Sequence, residues 1–513
     1  MSASADIRAG ARRHRLTLPR LNWLGLILIL AVALGVEFLL GLHGTKLDYA
    51  AKPSAILIAG WHLLTSGSLV RDTLHTLTTT LIGWASASLA GVLFGLWIGL
   101  SPLARRFSLA SIEVLRSLPG ITFVPVAILL FGFTRQMEII TIFFVCVWPV
   151  LISALAGAQA VALLHRDVAK TLHLSQLAVV TKITLPSAMP FIIAGMKLAL
   201  STGLAIAVVT EMIGNPAGLG YAIVQFQGAL QPASMFAVII WIGMLGLLLN
   251  VCFDSVASRF PLVEMANDQN VRTGISLWGL LPLAIALAGW QLLQTGQSPF
   301  FPKPSLWVHA IVNESILPAL WATVKSFFIA LLVATFFGSV LGMVIGRNKS
   351  VSRAVGPLFE FFRSLPAAAI VPVAVLIGGY TESMKVVVVV FAAIWPILIS
   401  VQDGARRLPL ARTELSRSLR MSFWQGVSKI LLPSMLPFIL LGVRIAAPIV
   451  LIIVLLVEII TQVPGLGALL AAGQQSYQTA LVYGVVVIAG CLGLITSLLV
   501  SAVEAVLGRA KES

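Results

Sequence analysis

The chain has 513 residues, of which 58% are hydrophobic and 10% charged, with a mean hydropathy of +1.00 and a formal net charge of +15. A soluble globular domain carries roughly 25% charged residues, so that class is excluded, and the short alternating segments of a membrane β-barrel are absent. The positive excess belongs to the positive-inside bias of membrane proteins rather than to a nucleic-acid surface. Cys146, Cys252 and Cys491 all fall in apolar runs, which excludes a disulfide framework or a cysteine metal site; no other metal-ligating set is read from the sequence.

Many apolar runs reach the roughly 20 residues that cross a bilayer as helix. In chain order the predicted spans are about 21–41, 73–101, 108–132, 139–162, 184–212 and 233–257, then 274–295, 320–346, 355–379, 384–404, 431–459 and 481–507. The first follows Arg8, Arg12, Arg13, Arg15 and Arg20. It is long for a signal-peptide core and has a counterpart at 274–295, so it is read as a retained helix.

The second six spans repeat the first at a shift of 247 residues. Gly91, Gly95 and Gly99 match Gly338, Gly342 and Gly346; Glu113, Arg116 and Pro119 match Glu360, Arg363 and Pro366; Pro125 matches Pro372; Trp148-Pro149 matches Trp395-Pro396; Glu211 matches Glu458; Gly218-Leu-Gly220 matches Gly465-Leu-Gly467. Near the start of each copy the shift is 251, carrying Lys52-Pro-Ser54 onto Lys303-Pro-Ser305. The expected fold is therefore an all-α polytopic membrane protein, with about 12 transmembrane helices in two parallel six-helix repeats. The first repeat takes residues 1–257 (core about 70–254), a cytoplasmic linker 258–273, and the second repeat 274–513 (core about 317–501).

With a cytoplasmic N-terminus the inner segments hold 23 of the 34 Lys and Arg residues. Both termini are then cytoplasmic, as are two polar interruptions, 163–191 and 410–438. Each runs as an acid, small residues, a turn, an amphipathic stretch and Leu-Pro before a long apolar helix. They read as two short surface helices per copy, with the acid favouring the start of the first.

These interruptions resemble the EAA loop of ABC-importer permeases, the family of binding-protein-dependent transport inner-membrane components. The residues carrying the likeness are Asp167-Val-Ala169 with Ile183-Thr-Leu-Pro186, and Glu414-Leu-Ser416 with Ile430-Leu-Leu-Pro433. The family's glycine is replaced by His173 and Arg420. Arg-Ser-Leu-Pro, Trp-Pro and Glu-x6-Gly-Leu-Gly are most similar to the nitrate/sulfonate/taurine branch. The resemblance implies the type I ABC importer transmembrane fold, in which Asp167, Ala169, His173, Leu174, Ser175, Glu414, Ser416, Arg420, Met421 and Ser422 couple to ATPase subunits. It further implies two ATPase copies that bind ATP and Mg, a periplasmic or lipid-anchored substrate-binding protein, a bacterial inner membrane, and a small anion or zwitterion such as nitrate, a sulfonate, taurine or bicarbonate. The chain has no GxxxxGK[ST] loop, so it is read as a transport component with no catalytic residues, cofactor or nucleic-acid partner of its own. A fused permease for iron or thiamine and an ion-coupled secondary transporter are the alternatives.

Arg116, Arg363, Lys197 and Arg444 are charges inside spans, each costing roughly 2.5–3.5 kcal/mol at mid-bilayer. Two readings stay open for them: ion pairs that fix packing, or cations lining an anion pathway. Glu113–Arg116 and Glu360–Arg363 are spaced to pair on one helix face, and Lys197 is expected near the face of Glu211. Pro119, Thr122, Pro125, Pro366 and Pro372 mark a broken third span, a common sign of a translocation site. Glu211 and Glu458 are candidates for an outer gate or a binding-protein contact, or else for capping and ion pairing. The glycine stripes read as packing faces, and Trp148 and Trp395 as packing residues.

Overall fold

Backbone groups in lipid must bond within their own segment, so apolar runs of this length fold as helices. The computed structural model describes residues 31–40 apart from 33, 51–171, 175–259, and 276–509 apart from 295–297, 315, 408–417, 419 and 420. The first half comprises α1 (Pro53–Thr65), α2 (Ser68–Leu100), α3 (Pro102–Ser117), α4 (Phe123–Phe131), α5 (Arg135–Thr171), α6 (Leu185–Gly214), α7 (Leu219–Gly228) and α8 (Pro232–Ala257). The second comprises α9 (Leu281–Leu293), α10 (Pro304–Asn313), α11 (Ile316–Arg347), α12 (Lys349–Ser364), α13 (Val371–Gly378), α14 (Glu382–Arg407), α15 (Leu432–Thr461), α16 (Leu466–Gln475) and α17 (Thr479–Arg509).

Eight of these helical runs are long and apolar enough to cross a membrane, in α2, α5, α6, α8, α11, α14, α15 and α17. Two bent pairs, α3 with 120–131 and 358–364 with 367–378, raise the number to ten among the described residues. The remaining two expected spans open each half. Most of 21–41 lies outside the described residues, and Leu277–Leu293 is a shorter apolar helix, at the lower limit of a crossing. Helices α1, α7, α10 and α16 lie outside the expected spans and are too short to cross a membrane.

The glycine stripes pack as expected. A Cβ on Gly95 would lie 2.5 Å from the Leu151 carbonyl oxygen on α5, and one on Gly342 would lie 2.7 Å from that of Leu398 on α14. Close backbone approach of this kind is how helices gain contact where lipid offers no hydrophobic drive. Leu93, Phe94 and Trp97 of α2, and Phe336 and Phe337 of α11, point outward and exposed, as a lipid-facing surface requires. One buried cluster runs through both halves, joining Ile121, Leu204 and Ile242 to Ala368, Leu451 and Val485.

Candidate functional site

Each Arg-Ser-Leu-Pro run ends a helix for a local reason. A residue before proline is driven out of the helical region; Leu118 (ψ 119°) and Leu365 (ψ 124°) are extended accordingly. A single 3₁₀ turn follows, Gly120–Thr122 or Ala367–Ile370. Pro125 and Pro372 then fall in the first turns of α4 and α13, where a missing N–H costs nothing. The chain turns by 75° at the first break and 95° at the second.

These breaks lie where the halves cross. Ser117 donates from Oγ to the Gly490 carbonyl on α17 (3.3 Å), and Ser364 donates to the Gly243 carbonyl on α8 (3.2 Å). A Cβ on Gly493 would approach the Ser117 carbonyl oxygen to 2.3 Å; on Gly246 it would approach that of Ser364 to 3.1 Å. The 3₁₀ turn of the first half touches α15, and that of the second touches α6. Each broken span is therefore seated on the fifth and sixth spans of the other half. Pro119, Thr122, Pro125, Pro366 and Pro372 are buried, and Thr122 bonds back to the Pro119 carbonyl at 2.7 Å. They shape the break, while Gly120, Phe123, Ala367 and Ile370 are its partly exposed residues.

Arg116 pairs with Glu113 at 2.6 Å and Arg363 with Glu360 at 2.6 Å, both side chains staying well exposed. Lys197 does not join Glu211. It bridges to Asp254 of α8 at 2.6 Å, because Glu211 turns toward the loop that follows its own helix. Arg444 lies on an exposed face of α15. Trp148 and Trp395 sit in aromatic clusters beside the breaks, with Phe144 at 5.9 Å and Phe362 at 5.9 Å between ring centres. Their buried indole N–H groups have no acceptor among the described residues.

The polar interruptions correct one expectation. Asp167 and Ala169 do not open a separate short helix; they belong to the final turns of α5, which continues to Thr171. Residues 160–171 hold neither Gly nor Pro to stop it, and the acid stands at the helix end that disfavours it. His173, Leu174, Glu414, Ser416 and Arg420 lie outside the described residues. Ser175 Oγ accepts from the Ala178 N–H (3.3 Å) and starts a helical turn, Gln176–Val179. Ser422, beside Met421, accepts from the Gln425 N–H (3.3 Å), while the Gln425 side chain accepts from the Ser422 N–H (3.1 Å). This second arrangement is a reciprocal capping box. Both turns pass through a π-helical segment, Val180–Thr184 or Val427–Leu431, into α6 or α15. The wider turn accommodates Pro186 and Pro433, which cannot donate to the preceding turn. From Gln176 to Gly214 the path is one nearly unbroken rod of about 58 Å.

At the other ends of these rods lie Glu211 and Glu458, both fully buried. Neither reaches a surface that a docked protein could touch, so a direct binding-protein contact is not what this structure gives them. Instead Glu211 accepts from the Gly220 N–H (2.8 Å) and Glu458 from the Gly467 N–H (3.0 Å), capping α7 and α16. Gly-Leu-Gly makes this possible. A Cβ on Gly218 would fall 2.2 Å from the Glu211 carboxyl carbon, and Gly218 has φ +97°, a conformation that costs other residues. Thr76 and Thr323 accept from the Leu219 and Leu466 N–H groups (3.0 and 2.9 Å).

Around this shared scaffold the halves differ. Lys385, fully buried, contacts Glu458 at 3.2 Å, Glu382 at 3.2 Å and the Pro464 carbonyl at 3.0 Å. Its counterpart 247 residues earlier is Glu138, also buried, bonded to His75 (3.1 Å) and to Asn215. None of Thr76, His75, Glu138, Asn215, Thr323 or Lys385 was singled out from sequence. The signal was present in the register: Arg135 and Glu138 align with Glu382 and Lys385, an inverted charge pair.

Comparison with known proteins places this architecture. Residues 91–260 and 315–512 each match the profile of the binding-protein-dependent transport system inner membrane component. The nitrate import permease protein NrtB of Leptolyngbya laminosa is 28% identical over 219 residues, which is 41% of this chain and 78% of that protein. The bicarbonate transport system permease protein CmpB of Synechococcus elongatus is 30% identical over 236 residues, 42% of this chain and 84% of its own length. SsuC of Bacillus subtilis, a permease protein assigned to aliphatic sulfonates transport, is 26% identical over 233 residues, 44% of this chain and 84% of its own.

Proposed function

Because the chain belongs to the family of binding-protein-dependent transport system inner membrane components, with two such domains in one polypeptide, we propose that it is the fused permease of an ATP-driven importer. The repeats 1–257 and 274–513, joined by the linker 258–273, form a single pathway. A binding protein delivers the cargo on one side, and two ATPase subunits, which bind ATP and Mg, act on the polar segments at the cytoplasmic side of a bacterial inner membrane. The cargo is a small anion or zwitterion of the nitrate, bicarbonate or sulfonate kind, the class named for the relatives.

The observation that carries this reading is the reciprocal crossing of the broken spans, Ser117 on Gly490 and Ser364 on Gly243. Irregular backbone at membrane depth is tolerated where protein or a watery cavity satisfies it, and pairs of such breaks at a repeat interface line translocation sites. Arg116 and Arg363 stand one residue before the crossings. Their exposure cannot be to lipid without a large cost, so they face water, each held by its own glutamate, and offer guanidinium N–H donors to an anion on the route. Lys197, held by Asp254, and Arg444 lie along the fifth spans and continue this run of cationic donors toward the cytoplasm. The rods from Ser175 to Glu211 and from Ser422 to Glu458 carry motion from the ATPase side to a gate at the far end. On this reading Asp167, Ala169, His173, Leu174, Glu414, Ser416, Arg420 and Met421 shape the docking surface at the near end.

The test is uptake of labelled nitrate, bicarbonate and a short alkylsulfonate into proteoliposomes holding the chain, its ATPase and its binding protein. Uptake of at least one of them should require ATP and the binding protein together. Arg116→Gln with Arg363→Gln should lower uptake about tenfold or more. Stability should change by less than about 1 kcal/mol, since the pairs broken are exposed. Uptake driven by an ion gradient without ATP would overturn the reading.

A further inference from the structure

We propose that the first half holds one divalent transition-metal cation between His75, Glu138 and Glu211, at the position the Lys385 ammonium takes in the second half. The two halves supply their own control. In the second, one buried carboxylate (Glu458) faces one buried ammonium (Lys385), and the charges balance. In the first, the residue aligned with that lysine is a glutamate, so two buried carboxylates meet, Glu138 and Glu211, each about 1% exposed. Two buried carboxylates with no strong cation beside them among the described residues are costly. The basic groups nearby do not resolve this. Arg135, which could have reached Glu138, donates instead to Thr78 and Thr79. Arg71 pairs with Asp72 at 3.6 Å and is itself largely exposed. His75 can balance at most one charge.

Geometry points the same way. One donor atom each from His75, Glu138 and Glu211 lies within 4.8 Å of the other two. Ligands held at about 2.0–2.2 Å from one tetrahedral ion stand roughly 3.3–3.6 Å apart; His75 and Glu138 already lie 3.1 Å apart, and a contraction of up to about an ångström closes the set. Glu211 keeps one oxygen, Oε2, on the Gly220 N–H, while its other oxygen, Oε1, is buried with no partner among the described residues. In the second half both oxygens of Glu458 are used, by Thr323, Lys385 and Gly467. The orphaned oxygen is thus the one for which the first half lacks a lysine. Asn215 stands 3.3 Å from the His75 ring nitrogen and against Glu138. With its amide turned over, its oxygen faces the ion as a fourth donor. One imidazole with two carboxylates suits Zn²⁺ or Mn²⁺ better than Mg²⁺ or Ca²⁺, which favour all-oxygen shells. The ion's role is structural: it ties the ends of α2, α5 and α6 together, as Lys385 ties α14 to α15.

The scattered positions 75, 138 and 211 carry no recognisable ligand spacing, which is why the sequence alone offered no metal site. The test uses the full chain in detergent, dialysed against buffered Zn²⁺ or Mn²⁺, with bound metal counted and thermal unfolding followed with and without chelator. Wild type should retain about one equivalent, and chelation should lower its unfolding temperature. Glu138→Lys installs the second half's own cation; it should fold, lose that equivalent, and unfold independently of chelator. His75→Gln should weaken binding by at least about 100-fold, the upper end of what losing even an outer partner costs. A wild-type chain that retains no metal, or a metal equivalent that persists unchanged in Glu138→Lys and His75→Gln, overturns the proposal. Should Glu138→Lys fail to fold, the wild-type count and its chelator response decide alone.

Discussion

At the ends of the two long rods the halves carry the same threonine, the same glutamate and the same Gly-Leu-Gly turn, yet opposite charges around them. Glu138 stands where Lys385 does, and Arg135 where Glu382 does. What stays fixed is what the backbone needs: a carboxylate to cap a short helix, and glycines narrow enough to admit it. What varies is the source of positive charge. When two domains share one polypeptide, each position occurs once per pathway, so a charge can change in one half without being imposed on the other.

The sharpest way to break the comparison is to remove the second half's cation. Lys385→Met leaves Glu458 buried against an apolar side chain. Stripping one partner from a buried pair costs about 3–5 kcal/mol, read as a fall in the chemical-unfolding midpoint of the purified chain. Adding Glu458→Gln should recover more than half of that loss, because the uncompensated charge goes with it. A single-variant loss under about 1 kcal/mol would mean that the pair is solvated and that the two ends are less alike than their backbones.

The crossing of the halves offers a milder contrast. Gly493 and Gly246 are equivalent, but a methyl group at Gly493 meets the Ser117 carbonyl at 2.3 Å while one at Gly246 meets the Ser364 carbonyl at 3.1 Å. Overpacking of a tight contact costs about 1–3 kcal/mol, so Gly493→Ala should fall in that range and Gly246→Ala below about 1 kcal/mol. Unfolding midpoints of the two variants, measured side by side, check the order. Equal losses would show the two crossings to be symmetric.

Most of the fold was legible because its cause is local. Apolar length gives spans, and proline after leucine gives the breaks. A constant shift of 247 residues reports the duplication. The ion pairs at Glu113–Arg116 and Glu360–Arg363 followed from helical spacing alone. What escaped were contacts between distant segments. Lys197 finds Asp254, 57 residues away, rather than the glutamate on its own helix, and no periodicity encodes that choice. Ser117 and Gly490 are 373 residues apart. The extension of α5 through Asp167 is hidden for another reason: the polar composition of 163–171 suggests an end of helix, whereas polarity ends a span and only Gly, Pro or a competing cap ends a helix.

The smallest effect concerns the polar segments themselves. Ser175 and Ser422 both cap the turn that leads into a fifth span. Ser422 does so within a reciprocal box completed by Gln425, whereas the residue aligned with Gln425 is Ala178. Loss of a capping hydroxyl costs about 0.5–2 kcal/mol, and the box concentrates that cost in the second half. Ser422→Ala should therefore lower transport-coupled ATP hydrolysis more than Ser175→Ala, by about twofold, in the reconstituted transporter. Ala178→Gln gives the first segment the missing half of the box, and on that background the effect of Ser175→Ala should rise to meet that of Ser422→Ala. If the two serines matter equally before that change, the inequality seen in their hydrogen bonds does not reach the ATPase, and the rods differ only at their far ends.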